Sequence, residues 1–201
     1  MTGNLGLFLS IWIKFSFMFT PFFALSMFLS MTEGYNERRR RKLALAVSGA
    51  VAVVCVILFF AGNQLFALFG ITLNSFRIGA GALLFLSAVS LVQAPPVTAR
   101  DNHDGDIAVV PLAIPIIVGP ATTGTLLVLG AELETVTAKG LGCLALLFAV
   151  VCIGTLLLSG SFIQRSLGDR GIGILSKLTG LILAALAAQM IMTGVQGFLQ
   201  H

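Results

Sequence analysis

A short run of small and polar residues, Gly119 to Thr123 with the sequence GPATT, interrupts an otherwise apolar part of the chain. Proline lacks an N–H and clashes with the preceding helical turn, so Pro120 can begin a helix but disrupts one from within. A helix that begins there presents unpaired N–H groups and a partial positive charge beside two threonine hydroxyls. This chemistry suits a carboxylate. The open alternative is a proline kink whose threonines bond back to their own helix. The candidate binding residues here are Gly119, Pro120, Ala121, Thr122 and Thr123.

A similar break is predicted in the first half of the chain. Pro21 lies 99 positions before Pro120, and the same shift relates three further pairs: Gly81 and Gly180, Arg40 and Lys139, and Ser90 and Gln189. Thr20 and Ser26 are the candidate binding residues of this first break. The expected helix breaks are Pro21, Pro111, Pro115 and Pro120.

The elements that carry these breaks must lie in a membrane. Of the 201 residues, 57% are hydrophobic and only 10% are charged, and a helix needs roughly 20 apolar residues to cross the hydrocarbon core. The apolar segments are continuous rather than alternating, which excludes a β-barrel. The sequence therefore predicts an all-α membrane protein with six transmembrane helices: Leu5 to Ser30, Leu43 to Leu68, Ile78 to Val92, Ile107 to Ala131, Leu141 to Phe162 and Leu175 to Leu199.

The constant shift divides the chain into two repeats of three spans, residues 1–93 and 107–201, joined by an exposed linker at 94–106. An odd number of spans per repeat gives the halves opposite orientations in the membrane. Inverted repeats with interrupted helices in corresponding positions are typical of secondary transporters, which bind their substrate at the breaks. We therefore expect the first and fourth spans to be interrupted at their prolines.

Positive charge predicts the orientation of the chain. The run RRRRK at 38–42 follows the first span, and Arg165, Arg170 and Lys177 follow the fifth. Because cytoplasmic loops carry the excess of lysine and arginine, both termini should lie outside a cytoplasmic (inner) membrane. The lipid bilayer is then the partner of the basic run, and binding of nucleic acid is not expected.

Several kinds of chemistry are not expected. No aspartate or glutamate lies deep in a predicted span, and the two histidines are in a loop and at the terminus, so neither a membrane protease nor any other enzyme is indicated. The three cysteines form no CxxC pair, which argues against a disulfide framework or a metal site. We expect no cofactor. A coupling ion would be Na⁺, held by carbonyl and hydroxyl oxygens, before H⁺.

Three further polar residues are candidates for a gate or for anchoring at the membrane interface. Arg77 opens the third span, Lys177 opens the sixth, and Gln189 lies within the sixth. The two cations could contact a substrate carboxylate, although anchoring is the simpler role. Lys14, near Trp12 in the first span, is expected to snorkel toward the outer interface rather than to act in function.

Three stretches resemble the MarC family of prokaryotic integral membrane proteins: VPLAIPIIVGPAT at 110–122, FGITLNSFRIGAGALLFL at 69–86 and GDRGIGILSKLTGLIL at 168–183. The resemblance covers nearly the whole chain and implies six spans in the cytoplasmic membrane. It also implies transport of small neutral amino acids such as glycine and alanine, an activity assigned to some members. Pro111, Pro115, Gly119 and Pro120 correspond directly to the family pattern.

The first break departs from that pattern. In TPFFALSMF at 20–28, Thr20 replaces an Asn or Asp, Phe23 a glycine and Ser26 a second proline. We expect a milder break with a bulkier lining. The predicted function is a secondary transporter or exporter of small neutral amino acids or similar polar solutes. The alternative is a non-transport membrane protein, for assembly or stress, that keeps the fold. The substrate, the direction of transport and the oligomeric state are left open.

Overall fold

The structure, a computed structural model, describes residues 2–93 and 117–199. The predicted linker at 94–106 and the predicted breaks Pro111 and Pro115 lie outside the described residues. The described part of the chain is helical and contains no strand, as the composition predicted. Its helices are α1 Thr2–Met18, α2 Pro21–Met31, α3 Glu37–Phe69, α4 Leu73–Gln93, α5 Pro120–Glu132, α6 Val136–Leu158 and α7 Gly160–Leu199.

Five helical segments are long and apolar enough to cross a membrane: Leu5–Met31, Glu37–Phe69, Leu73–Gln93, Val136–Leu158 and Arg170–Leu199. They correspond to the first, second, third, fifth and sixth predicted spans. The first of them includes both α1 and α2. Of the fourth predicted span, only the part from residue 117 onward is described, and α5 accounts for it. An all-α membrane protein is therefore confirmed.

The fifth span ends earlier than predicted. Helix α6 stops at Leu158, with Ser159 as its C-terminal cap, and α7 begins at once at Gly160 rather than after Phe162. Helix α7 is itself broken at Gly168, whose φ of 63° and ψ of 171° are not helical. Glycine adopts a positive φ without steric cost, which permits the break. Residues 160–167 thus form a short helix, where the sequence suggested the end of a span and a basic loop.

Side-chain caps mark the starts of α3 and α6, the helices that come after α2 and α5 in the chain. The Asn36 side chain accepts a hydrogen bond from the Arg39 N–H at 2.8 Å and caps α3. The Thr135 hydroxyl accepts one from the Ala138 N–H at 3.2 Å and caps α6. Such caps satisfy N–H groups that the first turn leaves without partners.

An arginine from the predicted basic run joins three helices. The Arg40 guanidinium donates to the Ser161 hydroxyl of α7 and to the Thr32 carbonyl after α2, both at 3.0 Å. The Ser161 hydroxyl in turn donates to Glu37 at 2.8 Å. Part of the basic run therefore fixes the start of α3 against its neighbours, in addition to any contact with headgroups.

Helix α4 packs along the second part of α7 through small residues. A Cβ added at Gly81 would meet Ile191 and the Ala187 carbonyl, and one added at Gly180 would meet Val92 and the Ala88 carbonyl. Helices α3 and α5 approach equally closely, since a Cβ at Gly62 or at Gly130 would overlap a backbone carbonyl of the other helix. Close backbone approach of this kind holds helices together in lipid, where the hydrophobic effect contributes little.

Candidate functional site

The two predicted breaks lie against one cavity of about 450 Å³, the break cavity. Thr20 and Pro120 come from different halves of the chain, and the helices that begin after Thr20 and at Pro120 both have their N-termini here. The described residues that line the cavity are Met18, Thr20, Phe23, Leu83, Leu84, Leu86, Ser87, Ser90, Leu91, Ile117, Gly119, Pro120, Ala121, Thr122 and Leu183. The structure thus brings together positions that are 99 residues apart in sequence.

The first break separates α1 completely from α2. Thr20 has φ 46° and ψ 59°, the left-handed region that β-branched residues rarely adopt. Its N–H donates to the Phe17 carbonyl at 2.9 Å, and its carbonyl accepts from the Ala24 N–H at 2.9 Å. The chain is therefore interrupted at Thr20, between two helices that together make up the first candidate span, Leu5–Met31. The bulkier lining is present, because Phe23 faces the cavity.

The second break has a different backbone. Gly119 is extended, with φ −80° and ψ 179°, and its carbonyl accepts from the Thr123 N–H at 2.9 Å. Pro120 occupies the first helical position and has no N–H. The first hydrogen bond of the helix is donated by Thr123, so the N–H groups of Ala121 and Thr122 have no acceptor within the helix. Gly119 supplies no side-chain cap to this helix, and neither does Thr20 to α2.

The threonines near the second break differ in their surroundings. Thr122 lines the cavity and is buried, with 5% of its surface exposed, and its hydroxyl donates to the Ile117 carbonyl at 3.3 Å. This bond resembles the back-bonding alternative, but it is long and reaches a carbonyl that precedes the helix. Thr125, one turn later, donates to the Ala121 carbonyl at 3.0 Å. Both hydroxyls are thus held inside the protein, and Thr122 belongs to the first turn, whose Ala121 and Thr122 amides have no partner among the described residues.

Not all candidate residues lie at the break cavity. Thr20, Gly119, Pro120, Ala121 and Thr122 line it, whereas Ser26 and Thr123 are not among the described residues that do. Ser87 and Ser90 of α4 add two hydroxyls that the sequence did not identify as binding residues. The available signal was their spacing of three residues, which places both on one face of a helix.

A second cavity of about 310 Å³, the ion-pair cavity, adjoins the first. In it Arg77 of α4 donates to Glu132 at the end of α5, at 2.9 Å from Nε and 2.8 Å from Nη2. Arg77 Nη1 also donates to Asn74 at 3.0 Å. The described lining residues are Lys14, Met18, Arg77, Leu84, Thr125, Val128, Leu129, Glu132, Leu186, Gln189, Met190 and Thr193.

The candidates for a gate or anchor are therefore divided. Arg77 and Gln189 share the ion-pair cavity, and Arg77 joins the first half of the chain to the second. Lys177 is exposed and lines neither cavity, which suits an anchor at the interface. Within the described residues, no group of three His, Cys, Asp or Glu side chains could hold a metal ion.

Comparison with known proteins gives a consistent result. The model of the family described as "MarC family integral membrane protein" matches residues 5–199. A UPF0056 membrane protein of Aquifex aeolicus is 31% identical, covering 97% of this chain and 95% of the relative. The UPF0056 inner membrane protein YhgN of Escherichia coli is 30% identical, covering 88% and 89%. A UPF0056 membrane protein of Methanocaldococcus jannaschii is 34% identical, covering 84% and 77%. No solved structure matches.

Proposed function

The chain belongs to the MarC family of integral membrane proteins, and from this premise we propose that it is a secondary transporter or exporter of small neutral amino acids or similar small polar solutes. The observation that carries the proposal is the convergence of two proline-initiated helix N-termini, those of α2 and α5, on one cavity. Backbone that is not helical at membrane depth is tolerated where it lines a cavity, and interrupted helices there mark substrate sites.

The positions of the helices support an inverted repeat of the two halves. Helices α2 and α5 begin at positions 99 residues apart, and so do α3 and α6. The caps Asn36 and Thr135 have the same separation. Each of these local features would then occur twice because the whole unit of three spans occurs twice.

The packing of α4 on α7 supports the same relation. Gly81 meets Ala187 and Ile191, and Gly180 meets Ala88 and Val92; each residue of the second contact lies 99 positions from its counterpart in the first. Reciprocal contacts of this kind are what a two-fold axis between the repeats produces. With three spans in each repeat, that axis lies in the membrane plane, and both termini lie on the outer side of the inner membrane.

The break cavity suits a small zwitterion. The amides of Ala121 and Thr122, with the partial positive charge of the α5 N-terminus, would hold a carboxylate. The hydroxyls of Ser87 and Ser90 on the facing helix would accept hydrogen bonds from an ammonium group. Apolar side chains fill most of the remaining lining, which would favour solutes with a small, uncharged side chain.

Coupling by Na⁺ is part of the proposal. None of the described residues that line the break cavity is a carboxylate, so a proton relay through it would have no titratable acid there. Hydroxyls and carbonyls at the two breaks are the oxygen ligands that a hard cation prefers.

Uptake by purified protein in liposomes tests the proposal. Labelled glycine, alanine and serine are offered with and without an inward Na⁺ gradient, beside protein-free liposomes. We expect saturable uptake or counterflow of at least one of the three, accelerated by Na⁺. Absence of both uptake and counterflow for all three, in protein that is folded and inserted, would favour the alternative of a non-transport assembly or stress protein that retains this fold.

A further inference from the structure

We infer that the ion-pair cavity is a second binding site for small carboxylate-bearing solutes, arranged in series with the break cavity, and that Lys14 is its anion-binding residue. The proposed function provides the identity of the solute; the charge of the site is argued independently from the residues below.

Lys14 lies well inside the first span, with its side chain exposed rather than buried in the protein. It is one helical turn before Met18, where α1 ends. At about 1.5 Å of rise per residue, Lys14 is roughly 6 Å from the break and roughly 18 Å from the start of α1 at Thr2. A cation this far inside a span normally faces a cavity or another polar group. The ion-pair cavity, which Lys14 lines, is such a place.

The charges around this cavity do not cancel. Arg77 donates to Glu132 through Nε and Nη2, and to Asn74 through Nη1. Glu132 is the single carboxylate among the described lining residues, and it is therefore paired with the arginine. Among the described residues, no carboxylate lies within ion-pair distance of Lys14. The described part of the lining therefore carries two cations and one anion. The surplus positive charge favours an anionic group, more strongly than it would in bulk water.

Neutral polar groups complete the site. The Gln189 amide and the Thr193 hydroxyl line the same cavity on the facing helix α7. An amide offers both donors and an acceptor, so it can bind either end of a zwitterion. A monocarboxylate, with or without an ammonium group, therefore fits this set better than a cation or an uncharged solute.

Met18 and Leu84 line both cavities and are themselves buried, with 3% and 2% of their surfaces exposed. They stand where the two cavities adjoin. A solute that moves between the cavities would have to displace them, and methionine is flexible enough to change its conformation. The two sites are therefore in series, with an apolar constriction between them.

A thiol at position 193 tests the charge of the ion-pair cavity. In protein carrying Thr193→Cys, with Cys55, Cys143 and Cys152 replaced by alanine, modification rates are measured in lipid nanodiscs with an anionic and a cationic methanethiosulfonate reagent. We expect Lys14→Gln to lower the anionic-to-cationic rate ratio about tenfold. Lys14→Arg should preserve the ratio. Lys177→Gln, which removes the same charge from outside both cavities, should also leave it unchanged. Equal ratios in all variants would overturn the inference.

Protection of the same thiol tests the ligand class. L-alanine and acetate should slow modification, and L-alaninamide, which lacks the carboxylate, should not. The protection should disappear in Lys14→Gln and persist in Lys177→Gln. Protection by alaninamide equal to that by alanine, or protection that survives in Lys14→Gln, would contradict a carboxylate site. Because this comparison requires no transport, absence of uptake in liposomes with protection intact would reject the proposed function alone.

Discussion

Each of the two breaks is followed by a helix that begins with proline, but their backbone conformations differ. At the first, the β-branched Thr20 holds a left-handed conformation, whereas at the second Gly119 is extended, a conformation open to any residue. A left-handed conformation costs an L-residue about 1–2 kcal/mol. The backbone conformation at the second break therefore does not require glycine. In the proposed site, its value is the absence of a side chain beside the amides of Ala121 and Thr122, which have no partner among the described residues.

The side chains beside the two breaks also differ in polarity. The first is flanked by Phe23, and the second by the buried hydroxyl of Thr122. The second break thus supplies polar contacts and close approach to the backbone, whereas the first supplies shape and a second helix N-terminus. Substitutions at the second break should therefore affect binding more than those at the first.

Gly119→Val should have the largest effect. A branched side chain would occupy the space next to the amides of Ala121 and Thr122, so we expect a normally inserted protein with alanine transport reduced to background. The matched control is Gly79→Val on the outer face of α4, where an added Cβ meets no atom within 4 Å. Uptake in liposomes, normalised to inserted protein, measures both variants. Parent-like uptake by Gly119→Val would remove the second break from the site.

Thr122→Val preserves shape and removes a hydroxyl. A hydrogen bond to a charged partner contributes about 1 to 3 kcal/mol, so affinity for alanine should fall roughly 5- to 150-fold. Thr20→Val and Ser26→Ala should have smaller effects on binding competition by unlabelled alanine. If the first-break variants lose binding while Thr122→Val does not, the roles assigned to the two breaks are reversed.

Thr20→Gly should stabilise the folded protein, because it removes the cost of a left-handed threonine. Part of the gain is lost to the greater freedom of glycine in the unfolded chain, which leaves about 1 kcal/mol. The midpoint of thermal unfolding in detergent should rise by a few degrees. Thr135→Gly, at a cap with an extended backbone, is the contrasting variant and should lower it. A lower midpoint for Thr20→Gly would mean that the threonine side chain makes a stabilising contact.

The ion pair between α4 and α5 gives the smallest expected effect. Arg77 and Glu132 keep side-chain exposures of 17% and 34%, so their pairing should contribute about 0.5 kcal/mol to stability. Ser176 and Glu33 stand 99 positions from Arg77 and Glu132, so the corresponding pair cannot form in the other half. A double-mutant cycle with Arg77→Gln and Glu132→Gln measures the coupling energy. Purely additive effects would mean that the pair does not join the halves.

The sequence predicted the breaks because proline acts locally. Proline disfavours an uninterrupted helix through its own residue and the preceding turn, and Pro21 and Pro120 each stand at the start of a helix in the structure. The kink at Gly168 falls in the predicted basic loop between the fifth and sixth spans, and the sequence there does not specify the φ of a glycine. The left-handed conformation of Thr20 could not be predicted either, since β-branched residues rarely adopt it.

The cavities depended on tertiary structure. Ser87 and Ser90 lie in an apolar span, where serine most often bonds back to its own helix, as Ser87 does to the Leu83 carbonyl at 2.9 Å. That they face Gly119 and Pro120 follows only from the packing of α4 on α5. For Lys14, the sequence gives the depth of the residue in its span but not the cavity beside it.

Backbone amide NMR tests most directly whether the two breaks form one site. Protein labelled with ¹⁵N at phenylalanine, alanine and threonine is titrated in nanodiscs with L-alanine, with L-alaninamide as the control. Binding of one solute in the cavity between both helix N-termini predicts that the amide signals of Phe22, Phe23, Ala121 and Thr122 shift with a common midpoint. Alaninamide should shift them far less. Shifts confined to one helix, separate midpoints, or no shift at all would contradict a shared site.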